Sequence, residues 1–151
     1  ATLNAELLRK TSFNVLCKPA LSVRADKLEL ELILPNLLKN ALEASNEVSH
    51  PVVIIEAFPC ADQVFVRVEN SGKVLSEEDF HRLKTPLLSS KATGLGLGVT
   101  IASALAEANG GQIQFKARPE GGLIAVVTLL SAASLPENAS RTPTDISRKE
   151  F

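Results

Sequence analysis

Three glycines at alternate positions, in Thr93-Gly94-Leu95-Gly96-Leu97-Gly98-Val99-Thr100-Ile101, run straight into an apolar stretch that reads as a helix over 99–108. Glycine lacks a Cβ and tolerates positive φ, so successive backbone N–H groups can converge on an oxyanion. The start of the helix behind them adds partial positive charge. That chemistry suits a phosphate, although the same run also suits a plain flexible hinge. No Lys follows Gly98, which excludes the G-x-x-x-x-G-K-[ST] loop. Ser89-Ser90-Lys91, not a strand, precedes the glycines, which excludes the dinucleotide fingerprint.

A second constellation lies upstream. At about 100° per residue, Asn36, Lys39, Asn40 and Glu43 share a narrow arc of a helix whose remaining surface is rich in Leu, Ile and Ala. Such an arc is either a solvated face or the wall of a cleft. Asn is a mediocre helix former, so a pair at i, i+4 weighs toward the cleft. A neutral amide oxygen can complete the sphere of a Mg²⁺ whose other ligands are phosphate oxygens.

The elements that must position these residues follow from local signals. Segments 12–17 and 21–24 read as short strands around a turn at Pro19. Asp26 is placed to cap a long helix through Ser45, which Pro35 is expected to bend. Strands are predicted over 51–58 and 63–70, joined by Pro59-Cys60-Ala61-Asp62. A short helix is predicted over 76–83, capped by Ser76 with Glu77, Glu78 and Asp79 in its first turn. Residues 84–98 lack periodicity and read as a mobile loop. Asn109-Gly110-Gly111 is a helix stop, and 112–117 and 123–130 form a hairpin over Glu120-Gly121-Gly122. The order predicts an α+β fold: a two-layer α/β sandwich with a mixed, mostly antiparallel sheet and helices packed on one face. Residues 1–130 form the expected domain and 131–151 a flexible tail or linker, rich in Ser, Thr, Pro and charge.

Composition narrows the field. A chain of 151 residues with 45% hydrophobic and 22% charged residues is long enough for one domain with a real core. A net charge of −1 gives no electrostatic footprint for nucleic acid or an anionic membrane. No apolar run approaches bilayer length, so direct membrane contact is not expected. Cys17 and Cys60 are isolated and read as ordinary thiols of a reducing, cytoplasmic compartment. The lack of Met, position 1 included, is expected of a fragment.

In this order, the motifs over residues 21–130 resemble the ATP-binding catalytic domain of sensor histidine kinases, within the superfamily of gyrase, heat-shock chaperone and mismatch-repair ATPases. Leu32-Ile33-Leu34-Pro35-Asn36-Leu37-Leu38-Lys39-Asn40-Ala41-Leu42-Glu43-Ala44 resembles the N box. Thr85-Pro86-Leu87-Leu88-Ser89-Ser90-Lys91 resembles the F box and the start of the ATP lid, and Gly94 to Ile101 the G2 box. The resemblance implies a Bergerat-type fold and ATP with Mg²⁺ as cofactors, the metal on Asn40. It implies a nucleotide site drawn from Asn36, Lys39, Asn40, Glu69, Ser71, Lys91, Gly94, Leu95, Gly96, Leu97, Gly98 and Thr100. The G1 box, an Asp followed by glycines two and four residues later, is the point of departure. There Glu69 is expected in place of the Asp that accepts from the adenine amino group, with Ser71 and Lys73 in place of the glycines.

Hydrolysing members resemble one another in a Glu four residues before the magnesium Asn. This chain has Asn36 at that catalytic position, and an amide cannot serve as a general base. The resemblance therefore implies phosphoryl transfer to a histidine on a dimerisation domain of the same protein, outside this chain, with a response regulator as the next partner. His50 and His81 lack the context of an acceptor and are expected at the surface. The altered G1 box also motivates the alternative of a non-catalytic relative that senses nucleotide or binds protein.

Overall fold

The computed structural model describes residues 5–17, 21–84 and 97–132. Five strands form one mixed sheet in the order β1-β2-β3-β5-β4. They are β1 (Ser12–Cys17), β2 (Val52–Cys60), β3 (Gln63–Asn70), β4 (Gln112–Ala117) and β5 (Leu123–Leu130). β1 pairs parallel to β2, and every other pairing is antiparallel. The main helices, α2 (Lys27–Ser45) and α4 (Leu97–Ala108), pack on one face. The α+β sandwich expected from the element order is the fold observed.

Local chemistry explains the boundaries. Asp26 caps α2 by accepting from the Glu29 N–H at 3.0 Å. The helix runs through Pro35 to Ser45, and Pro35 is exposed, so its missing donor lies on the solvent side. α4 ends where Gly110 takes φ +77°. There the Gly110 N–H donates to Glu107 O at 3.0 Å and the Gly111 N–H to Ala106 O at 2.8 Å, the paired bonds of a Schellman turn. α4 presents Ala102 and Ala106, both fully buried and one turn apart, to Ile33 and Leu37 of α2 and to Val127 of β5. Small residues there let the helix backbone approach both layers closely.

Three expectations change. A six-residue helix, α1 (Ala5–Lys10), precedes β1 and was not anticipated. Segment 21–24 is no strand: Val23 makes a single antiparallel bridge to Ser131, because it meets only the last residues beyond β5. That bridge and the Ala132 N–H···O Ser22 bond tie residues 131 and 132 to the segment before α2. Pro59 and Cys60 belong to β2, and the turn is Ala61-Asp62 alone, with Ala61 at φ +55°. Residues 133–151 of the expected tail lie outside the described residues. The third helix, α3 (Glu77–Lys84), is capped by Ser76 as its sequence indicates, Oγ accepting from the Asp79 N–H at 3.1 Å. Among the described residues no helix is long and apolar enough to cross a membrane.

Candidate functional site

A cavity of about 320 Å³ opens on the helix side of the sheet, within the range of small-molecule sites. α2 contributes Leu37, Asn40, Ala41 and Ala44 to its wall. The end of β3 and the segment after it contribute Val68, Asn70, Gly72 and Lys73, and the start of β5 contributes Gly122 and Leu123. The walls are mostly apolar, and two amides stand in them. Asn40 is half-buried, and no hydrogen bond from a described residue engages its side chain. Asn70 is 4% exposed, and its Nδ2 donates to the Ser71 carbonyl at 2.9 Å. That bond fixes the amide's orientation and leaves Oδ1 free of any donor among the described residues.

Charged groups line the rim. Lys73 and Glu47 face each other at 3.7 Å, both well exposed, and Asp79 and Arg82 of α3 stand opposite them. Screening by solvent makes such exposed pairs weak, so they restrain the entrance little. Beside the β4–β5 turn, Glu120 is held below the ordinary glutamate value by its own backbone N–H and then by Arg118.

Glycine geometry builds the floor. Gly121 and Gly122 have φ of +108° and +102°, and a Cβ on Gly122 would come within 1.9 Å of the Asn70 carbonyl oxygen. The Gly122 N–H donates to Lys73 O at 2.9 Å. The β4–β5 turn thus lies backbone against backbone on the segment that carries Asn70 and Gly72.

The structure redistributes the residues singled out by sequence. Asn40 lines the cavity as expected. Asn36 does not: its Nδ2 folds back to donate to Leu32 O at 2.6 Å, on its own helix. Lys39 is exposed and makes a loose 4.0 Å pair with Glu43, away from the cavity. Glu69 is on the opposite face of the sheet, because side chains alternate along β3 and Val64, Val68 and Asn70 take the helix side. There it pairs with Arg118 Nε at 2.9 Å and Arg67 at 3.2 Å. Ser71 accepts from the Val52 N–H at 2.8 Å and so fastens β3 to β2, outside the cavity. Thr100 lies half-buried on α4 and is not in the wall. Leu97 and Gly98 form the first turn of α4, two residues earlier than expected. Lys91, Gly94, Leu95 and Gly96 lie outside the described residues.

A family model described as histidine kinase-, DNA gyrase B- and HSP90-like ATPase matches residues 25–133. The chain belongs to this ATPase family. The sensor protein FixL of Bradyrhizobium diazoefficiens is 30% identical over 111 residues, 73% of this chain and 22% of FixL. The sensor histidine kinase ZraS of Klebsiella oxytoca is 33% identical over 118 residues, 77% of this chain and 25% of ZraS. The solved catalytic domain of histidine kinase ThkA superposes with a TM-score of 0.71 at 27% identity, covering 83% of this chain and 84% of that domain. The chain therefore spans about a quarter of these curated relatives and most of one catalytic domain. Within the family it is of the histidine kinase ATP-binding catalytic type.

The cavity moves the ATPase family's acid-and-glycine pattern by one residue. Asn70, not Glu69, occupies the cavity wall. Gly72 then stands two residues later, its Cβ position 3.2 Å from the Gly122 Cα, and Val74 stands four later in place of the second glycine. The signal was present in the sequence: Val64, Val66 and Val68 alternate, and Asn70 continues their face. Phe65 between them blurred the alternation. His50 and His81 are both exposed.

Proposed function

We propose that this domain binds ATP with Mg²⁺ and donates the γ-phosphoryl group to a histidine on a dimerisation domain outside this chain. The observation that carries the reading is one cavity, in an ATPase-family fold, that brings together two amide oxygens on separate elements, Asn40 on α2 and Asn70 on β3, neither engaged by a donor among the described residues. Asn70 Oδ1 would accept from a base amino group, which a purine with a 6-amino substituent supplies. Its Nδ2 is already committed to Ser71 O, so the amide presents its acceptor and not its donor. Leu37, Ala41, Val68 and Ala125 offer apolar faces to the plane of the base.

Asn40 would hold the metal as a neutral oxygen ligand. The remaining ligands of such a cation would be phosphate oxygens. When bound, the ion supplies charge neutralisation to the phosphates. Asn36 points back into its helix and is an amide, so a water-activating base is lacking at that position. Phosphoryl transfer to an incoming imidazole needs positioning above all, and the rigid α2 frame under Asn40 supplies it. The dimerisation domain of the same protein, a response regulator and a cytoplasmic location belong to the same proposal.

Calorimetric titration with ATP and ADP, with Mg²⁺ and with EDTA, tests the reading. Binding that strengthens with Mg²⁺ is expected, and no heat at high protein concentration would sink it. One observation favours a second reading, a non-catalytic nucleotide sensor: an amide at Asn70 and a side chain at Val74 stand where the family pattern has an acid and a glycine. Nucleotide binding without phosphorylation of a supplied acceptor domain would select it.

A further inference from the structure

On the sheet face opposite the cavity, an ion-pair chain crosses the end of β3. Glu69 Oε1 lies 2.9 Å from Arg118 Nε and Oε2 3.2 Å from Arg67, which reaches Glu56 at 3.7 Å. The inner pair is largely removed from solvent, with side-chain exposures of 14% for Glu69 and 17% for Arg118. Arg118 Nε is buried and close to its carboxylate without hydrogen-bond alignment, so the contact is held as charge on charge.

Arg118 opens the β4–β5 turn, and that turn is one hydrogen-bonded unit. The Arg118 N–H donates to Gly122 O at 3.0 Å, and the Gly121 N–H to Arg118 O at 3.1 Å. The glycine side of the same turn rests on the Asn70–Lys73 backbone: Cβ atoms on Gly121 and Gly122 would come within 2.3 Å of Gly72 O and 1.9 Å of Asn70 O. The turn therefore clasps the end of β3 from both faces, with backbone in front and the Glu69–Arg118 pair behind. Glu69 and Asn70 are adjacent on a strand, so fixing one side chain fixes the roll of the other.

We infer that Glu69 and Arg118 are a positioning pair: from the face opposite the cavity they hold the 118–122 turn against β3 and set where the Asn70 amide points. This rests on the nucleotide reading above for its consequence, which is base selectivity, but not for its geometry.

The test uses this chain with Glu69→Gln, Arg118→Gln and the double variant Glu69→Leu/Arg118→Leu. Each single change leaves the remaining mostly buried charge with one partner, Glu69 with Arg67 or Arg118 with Glu120, and lowers stability for that reason. The double variant removes both charges of the inner pair and leaves Arg67 with Glu56, and its melting temperature checks that it is folded. The readouts are the ratio of ADP to IDP affinity, since IDP carries a 6-oxo group where ADP carries 6-amino, and the NMR signals of the Asn70 side-chain amide, assigned through Asn70→Asp. The expected result is a ratio narrowed about threefold to tenfold in the double variant, the worth of one hydrogen bond. The Asn70 Nδ2 signals should shift or broaden while those of Asn109 stay in place. A lower melting temperature with an unchanged ratio and unchanged Asn70 signals would overturn the pair's positioning role. If the parent chain binds neither nucleotide, the ATP reading fails, and the Asn70 signals alone then decide the positioning claim.

Discussion

The helix layer is tied at one end and open at the other. At the tied end, Asn109 closes α4 onto the start of α2. Its Oδ1 accepts from the Asp26 N–H at 2.8 Å, and its Nδ2 donates to Glu29 and to Leu105 O. All three bonds are made by one side chain, and the fully buried Ile33, Ala102 and Ala106 fill the space behind it. At the other end, α2 leaves the sheet side of Asn40 and Ala44 uncovered by α4, and the cavity occupies the gap. The comparison teaches where rigidity comes from. Asn40 itself has no hydrogen bond among the described residues to hold it. It is placed by a helix anchored through a cap and an inter-helix tie more than two turns away. The free amide can then be spent on a ligand.

This contrast can be broken at the open end most severely. Gly122→Ala puts a Cβ against Asn70 O at a φ of +102°. It is expected to cost about 3 kcal/mol or more and to deform the cavity floor. Urea unfolding measures it, and a midpoint equal to that of the parent would contradict the backbone packing described. Breaking the tied end comes next. Asn109→Ala should cost about 1 to 2 kcal/mol, since it removes three side-chain hydrogen bonds of which two are partly buried. Nucleotide affinity should fall far less than stability, and a parallel loss of both would show that the two ends are not separable.

A change confined to the ligand follows. Asn40→Ala should weaken ATP binding in Mg²⁺ by about tenfold with little effect on unfolding, as removal of one neutral ligand implies. Equal titrations of variant and parent would dismiss Asn40 as a ligand. The smallest effect lies on the turn between the ends. The Glu120 carboxyl is held below its ordinary value of 4.5 chiefly by a backbone N–H, then by Arg118. A depressed folded value stabilises above the unfolded value and is lost as pH falls through the folded one. Glu120→Gln should therefore lower the melting temperature slightly at neutral pH, with the difference disappearing in acid. A difference that grew on acidification would reverse the assignment.

Sequence exposed what is decided locally. The Asp26 cap, the Ser76 cap, the Asn109-Gly110-Gly111 stop and the bounds of β4 and β5 depend on a few neighbouring residues, and each stands where the sequence put it. So does Asn40, because helical spacing fixed its face. The faces of Glu69 and Asn70 are not legible from a local pattern, because only the pairing of β3 with β2 and β5 settles which side each takes. The tie made by Asn109 was hidden for another reason: its partners Asp26 and Glu29 are some eighty positions earlier in the chain. The back-bond of Asn36 to Leu32 O was not legible either, because a side chain of that length can turn to its own helix or away from it with the same spacing.

The alternation at the end of β3 has a consequence for how this domain can change. A point substitution at residue 69 or 70 changes the chemistry of one face and reaches the other only through the roll of the strand. Loss or gain of one residue between the Ala61-Asp62 turn and Asn70 is not confined in that way. It exchanges the two sides together, turning the carboxylate into the cavity and the amide toward Arg118. The strand thus reads in a frame of two: it tolerates spelling changes but not a shift of frame.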